Sequence, residues 1–225
     1  NKRLNLFGLN LVQKVRNLQR LVIVEGYMDV IGLHQADLPY AVASLGTALT
    51  PNQVALALRF APKVTLNYDG DAAGRTAACR AIPLCFEKGM EAHILVLPGD
   101  LDPDGFVREH GREAYERLLP AAVPALKFLI EASVQGKRMA VPEVKTKVLR
   151  SILAVLDNIP DSVVRSEYLR QTAEYLRVEE AVLRNLAQQK PSARPEAATA
   201  GLLPAEKRLL QMIFESPEMR SAVFS

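Results

Sequence analysis

Two cysteines, three histidines and a net charge of only +3 leave this 225-residue chain with little of what usually announces chemistry. Cys79 and Cys85 are six apart on a predicted helix. That puts them roughly 9 Å apart along its axis and on different faces, too far for a bridge, and the spacing does not suit zinc. Both read as packing residues of a reducing, cytoplasmic setting. His34, His93 and His110 share no spacing and read as packing or surface residues. No apolar run approaches the ~18 residues of a membrane span; Leu21 to Val24 is strand-sized, so no membrane partner is expected. There is no Gly-x-x-x-x-Gly-Lys loop of an ATPase and no internal repeat. The start, Asn1-Lys2-Arg3, lacks both an initiator Met and a signal-peptide core, and reads as a cut from a longer protein. The net charge is too small to mark a nucleic-acid binder by itself. Apolar residues at 49% and charged residues at 24% give the balance of a globular protein, long enough for one sizeable domain and a smaller one.

What is present is a regular alternation. Leu6, Leu9, Val12 and Val15 predict a helix over 4–19, with Lys2, Arg3, Lys14, Arg16 and Arg20 around it and no acid before residue 25. That basic flank is either a solvated helix face or a grip for phosphates. Strands are expected at 21–24, 41–44, 64–68 and 92–97. Helices are expected at 27–36, at 51–60 after the cap pair Thr50-Pro51, and at 72–88. Strands alternating with helices imply βαβ units and a parallel sheet, an α/β fold. From 106 onward the pattern is helical, at 106–119, 121–135, 142–158, 161–176 and 178–188. A Pro/Ala-rich linker follows at 189–203, and a last amphipathic piece ends the chain.

Ligands on such sheets bind beyond the carboxyl ends of the strands. Glu25, Ser44 to Thr47, Asp69, Asp71 and the 98–105 loop with Asp100, Asp102 and Asp104 all fall at those ends. Each acid has a bland reading: Glu25 in a turn with Gly26, Asp71 as a helix cap, Asp102-Pro103 as the start of a turn. Together they resist it. Two like charges ~4 Å apart repel by about 4 kcal/mol at an effective dielectric of ~20. Protonation or a bound cation relieves that cost. Carboxylate oxygens suit Mg²⁺ or Mn²⁺, and two such ions stabilise attacking and leaving oxygens in nucleotidyl transfer.

The strings Leu21-Val-Ile-Val-Glu-Gly-Tyr-Met-Asp-Val30, Ala43-Ser-Leu-Gly-Thr-Ala-Leu-Thr50, Asn67-Tyr-Asp-Gly-Asp-Ala-Ala-Gly74 and Leu97-Pro-Gly-Asp-Leu-Asp-Pro-Asp-Gly105 resemble, in order, the TOPRIM motifs of bacterial primases of the DnaG type. The resemblance covers about residues 4–190. It implies a TOPRIM sheet flanked by helices and followed by an α-helical bundle. The implied divisions are a connecting basic helix (1–20), the TOPRIM domain (21–118), a helical subdomain (119–188), the linker (189–203) and the start of a helicase-binding domain (204–225). It implies that Glu25, Asp69 and Asp71 hold Mg²⁺ or Mn²⁺, that Asp102 and Asp104 extend the cluster, and that Asp29 supports it. Glu25, Asp29, Asp102 and Asp104 would be catalytic. Zinc is expected only in an N-terminal module outside this chain. The implied activity is template-directed joining of ribonucleoside triphosphates into short RNA primers on single-stranded DNA. The implied setting is a monomer in the bacterial cytoplasm, at replication forks on the nucleoid, with a DnaB-type replicative helicase docking through a C-terminal domain.

Rival readings fit less of the chain. A topoisomerase needs a nucleophilic Tyr in a separate domain, whereas Tyr27, Tyr40 and Tyr68 lie within the acidic core. Recombination mediators carry a Cys-rich zinc module, and TOPRIM nucleases accompany an ATPase domain. A phosphatase using Asp69 and Asp71 would place Thr or Val where Ala73 stands, and would leave Glu25 unexplained. A helicase- or polymerase-docking module with a merely structural acidic rim is the non-enzymatic alternative.

Overall fold

The computed structural model describes residues 3–44, 48–99 and 101–189. The chain divides into two compact units, Asn1–Gln188 and Gln189–Ser225. Apart from Gln189, the second unit lies outside the described residues, and with it the readings of 189–203 as a linker and 204–225 as part of a further domain.

Four parallel strands, β1 (Arg20–Val24), β2 (Ala41–Ala43), β3 (Lys63–Asn67) and β4 (Glu91–Leu95), stand in the order β2-β1-β3-β4. The helices α2 (Tyr27–Gln35), α3 (Pro51–Leu58) and α4 (Ala72–Glu87) connect them. The chain leaves β1 towards one side and returns through β3 on the other, so the strand order reverses at β1. Loops diverge at such a point and open a crevice at the carboxyl ends. The strands are short apolar runs because both faces are covered. Leu21, Ile23, Val64, Leu66 and Ile94 pack into one layer with Val54 of α3 and Ile82 of α4. Val22, Val24 and Leu95 pack on the other side with Val30 and Leu33 of α2. Each such full burial contributes about 1.5–3 kcal/mol.

The sheet is not wholly parallel. A two-residue strand β5 (Val123–Pro124) pairs antiparallel with β4, where a helix over 121–135 was expected. Pro124 has no N–H to give, which suits an edge strand, and the helix α7 (Ala125–Val134) starts only after it. The expected helix 106–119 is two, α5 (Pro103–His110) and α6 (Arg112–Leu118), broken at Gly111 with φ +80°. The remaining helices, α8 (Pro142–Leu156), α9 (Ser162–Leu176) and α10 (Glu180–Gln188), follow the periodicity closely.

The expected basic helix 4–19 is largely absent. Only α1 (Leu9–Val12) is helical, after Gly8 at φ +82°. Residues 3–7 are instead held open by hydrogen bonds to their main chain. Phe7 exchanges hydrogen bonds with Ala43. Thr50 Oγ1 and Gln53 Nε2 donate to the carbonyls of Arg3 and Asn5. Those two side chains also form the capping box of α3, so the same residues start one helix and draw the preceding segment away from another.

A buried polar link ties three elements beneath the carboxyl ends. Tyr115 of α6 is fully buried, and its hydroxyl donates to Asn67 Oδ1 at 2.7 Å. Asn67 Nδ2 donates to the carbonyl of Leu95, the last residue of β4, at 3.3 Å. Tyr115→Phe leaves Asn67 Oδ1 buried without a donor, an expected loss of about 1–3 kcal/mol in urea denaturation. An unchanged unfolding midpoint would show that the link contributes nothing.

Candidate metal centre

Glu25 follows β1, Asp69 and Asp71 follow β3, and Asp102 and Asp104 follow β4. Of the acids expected at the strand ends, Asp100 lies outside the described residues, and the other six, Asp29 of α2 included, lie at the carboxyl-end rim. They do not play equal parts.

Three aspartates are held by main-chain amides. The carboxylate of Asp29 accepts from Gly26 N at 3.0 Å, that of Asp71 from Gly74 N at 2.7 Å, and that of Asp102 from Gly105 N at 2.7 Å. Asp71 and Asp102 are the N-caps of α4 and α5, so the bland reading of Asp71 as a cap is correct for one of its oxygens. Gly74 has to be glycine, because a Cβ there would stand 2.2 Å from the carbonyl oxygen of Asp69. This contact packs the first turn of α4 onto the strand end and brings Asp69 and Asp71 side by side.

Glu25 is half-buried, and its Oε1 is buried with no hydrogen-bond partner. Burial, then the charge of Asp69, with smaller contributions from Asp71 and Asp29, raises its pKa above the ordinary value, against the lowering effect of the Asp69 main-chain amide. Burial followed by Asp71 and Asp102 raises that of Asp69. Asp29 is buried, and burial raises its pKa as well, against the lowering effect of the amides of Gly26 and Asp104. Asp29 is therefore fixed by the turn that follows Glu25 and feels the start of α5, where Asp102 and Asp104 stand.

Acids of the rim line two hollows. One, of about 280 Å³, is lined by Asp69, Gly70, Asp71, Gly99, Leu101 and Asp102. The other, of about 360 Å³, lies between α4 and the segment that precedes α3, where Glu25, Ser44, Tyr68 and Arg80 face a small apolar wall of Ala48, Leu49, Ala73, Ala77 and Ala81. Asp104 stands apart from both. Its Oδ2 is paired with Arg108 at 2.9 Å, and its Oδ1 is buried without a partner against Gly32, where a Cβ would come within 1.9 Å. Arg108 was missed in the sequence, although its i,i+4 spacing from Asp104 was the signal. The three histidines are elsewhere: His34 bonds the Ala41 carbonyl, His93 is half-buried in β4 and the His110 ring packs tilted against Phe106.

The sequence profile of the Toprim-like family matches residues 22–107, and that of the DnaB-helicase binding domain of primase matches residues 126–181. The DNA primase of Clostridium acetobutylicum is 36% identical over 185 residues, 82% of this chain and 31% of that protein. Among solved structures, a DNA primase domain from Pseudomonas aeruginosa superposes with a TM-score of 0.76 at 31% identity, covering 84% of this chain and 60% of the other. The DnaG primase catalytic domain bound to ssDNA gives 0.71 at 33% identity, covering 77% and 57%. The chain belongs to the DnaG-type primase family. It spans about a third of the length of the curated primases it matches.

Within this primase fold the donor set suits a hard divalent cation. It consists of carboxylate oxygens from adjacent strand ends, with one of them, Glu25 Oε1, buried and unpartnered. Among the described residues, no three acidic, His or Cys side chains already converge on one point. Mutual repulsion of unneutralised carboxylates opposes that convergence.

A raised carboxyl pKa in the folded state has a definite sign in stability. The folded chain binds protons more readily than the unfolded one. Stability is therefore full below the ordinary carboxyl range and is lost as pH rises through the folded values. In metal-free buffer Asp69→Asn should melt higher than the parent at neutral pH, and the difference should shrink to nothing as the pH falls below about 4. Asp71→Asn keeps its cap, since Asn caps as well as Asp. Thermal melts from acid to neutral pH check this; a lower melting temperature for Asp69→Asn at pH 7 would contradict the repulsion.

Proposed function

We propose that this chain carries the metal-binding half of a DNA primase active site and serves in template-directed joining of ribonucleoside triphosphates into short RNA primers on single-stranded DNA. The observation that carries this reading is the acidic rim, in which Glu25 has a buried, unpartnered oxygen and feels the charge of Asp69, in a chain of the primase family. The ssDNA-bound relative supports nucleic acid as the partner.

Glu25, Asp69, Asp71 and Asp102 would hold Mg²⁺ or Mn²⁺. Such ions, when bound, neutralise triphosphate charge and favour the ionised 3′-hydroxyl of the growing strand. The residues themselves set the positions. Gly74 and Gly105 amides each occupy one oxygen of Asp71 and Asp102, leaving the other for a ligand. Asp29 fixes the turn of Glu25 through Gly26. Asp104 would join the cluster on release from Arg108. Nucleotidyl transfer needs its reactants aligned to about an ångström, which this main-chain anchoring supplies.

The match at 126–181 supports a DnaB-type helicase as a partner through the helices α7 to α9. The expected contact through 204–225 falls outside the described residues. Among the described residues no helix is long and apolar enough to cross a membrane. A monomer working at replication forks in the bacterial cytoplasm is the setting that fits this reading.

Primer synthesis on a single-stranded template with ribonucleoside triphosphates and Mg²⁺ or Mn²⁺ tests the proposal. The assay compares this chain alone with the same chain joined to the N-terminal region of a primase relative. The joined protein should make primers and the chain alone far fewer, because it spans 60% of a solved primase domain. Glu25→Gln in the joined protein should lower the rate by about 100-fold or more. Full activity of Glu25→Gln would remove the rim from the chemistry.

A further inference from the structure

The acidic rim repels the phosphates it has to receive, and nothing among the six acids holds a nucleic-acid backbone. Next to the rim the charge changes sign. Residues 125–150 carry six bases against two acids. One of those acids, Glu131, is paired with Lys127. Lys137 and Arg138 lie exposed in the turn between α7 and α8, which Gly136 makes at φ +69°. Lys147 and Arg150 are exposed on the following helix, where with Pro142, Glu143 and Thr146 they line a shallow groove. None of these four bases has an acidic partner among the described residues.

Arg75 joins this surface to the rim. Its amide bonds the carbonyl of Asp71, so it stands one helical turn from the candidate metal ligands. Its guanidinium lies over the Phe128 ring at 5.3 Å and donates to Gln135 Oε1 at 3.3 Å. Gln135 is the residue that ends α7, two before Lys137. The basic turn is thereby tied to the first turn of α4, whose cap is Asp71.

We infer that Arg75, Lys137 and Arg138, continued by Lys147 and Arg150, form a phosphate-binding track that carries a nucleic-acid strand past the metal centre. The inference rests on the primase reading of that centre. The 126–181 match assigns a helicase partner to these helices as a whole, but on the α7–α8 turn itself a protein contact is disfavoured by chemistry. Interface centres are apolar and aromatic, and this turn exposes one large apolar side chain, Val141. In the helical region the other exposed ones, Val163, Val164, Tyr175 and Val182, stand on α9 and α10. Unpaired bases spaced along a turn are the usual equipment for phosphates.

The test is fluorescence anisotropy of a labelled oligothymidylate strand binding the 225-residue chain, repeated over a range of salt. Single-strand binding weakens with salt by a slope of about 0.7 per phosphate contact. Lys137→Gln/Arg138→Gln should lower that slope by about 1.4, with the melting temperature unchanged. Arg75→Lys keeps the charge but loses the stacked fork, and should weaken binding with a smaller change in slope. If the parent chain binds and the double variant shows the same affinity and slope, the track is wrong and the primase reading stands. The same holds if the variant loses only a DnaB-type helicase. If the parent binds no strand at low salt, the track is wrong, while the primase reading is decided separately by primer synthesis in the joined protein.

Discussion

Like charges gathered at the ends of neighbouring strands are the constraint on which the rest of this structure turns. Each pair costs about 1–4 kcal/mol, depending on how wet it is, and folding alone would drive the acids apart. Main-chain amides hold them in place. Asp29, Asp71 and Asp102 each accept from an amide three residues away, and a hydrogen bond to a charged group contributes about 1.5–3 kcal/mol. The anchor comes from helix starts, where amides have no helical partner. Glu25 Oε1 and Asp104 Oδ1 are the two carboxylate oxygens at this rim that are buried without a donor. The arrangement is stable enough to form and short of one positive charge.

Much of this was legible because strands and helices announce themselves by period. The four parallel strands, the helices between them and the placement of Glu25, Asp69, Asp71 and Asp102 on one rim follow from apolar runs ending in acids and glycine. The failures share a cause. The N-terminal segment has helical spacing, yet Thr50 and Gln53 capture its carbonyls from 47 and 48 positions away, which no local pattern encodes. β5 exists because β4 offers an edge, again a long-range matter. Asp102-Pro103 is different: it is the same cap pair as Thr50-Pro51, and reading it as a turn overlooked a signal that was present. Asp104 shows the limit of motif reading, since spacing places it at the rim but not which way its carboxylate faces. Packing against Gly32 and pairing with Arg108 decide that.

The two faces of the sheet divide the labour. On one, Tyr115 and Asn67 fix the ends of β3 and β4 beneath the acids. On the other, α4 and α7 carry the Arg75–Phe128 contact that sets a basic surface beside an acidic one. Opposite charges within one turn of helix allow a polyanion to be attracted without neutralising the carboxylates, which stay available to a cation.

Calorimetric titration of Mn²⁺ into the metal-free chain, and into its Asp69→Asn/Asp71→Asn variant, tests the central claim most directly. The account predicts saturable binding by the parent and at least a tenfold loss in the variant, about 1.4 kcal/mol or more, with both proteins folded. Equal Mn²⁺ affinity in the two would contradict it and leave the acidic rim a structural feature.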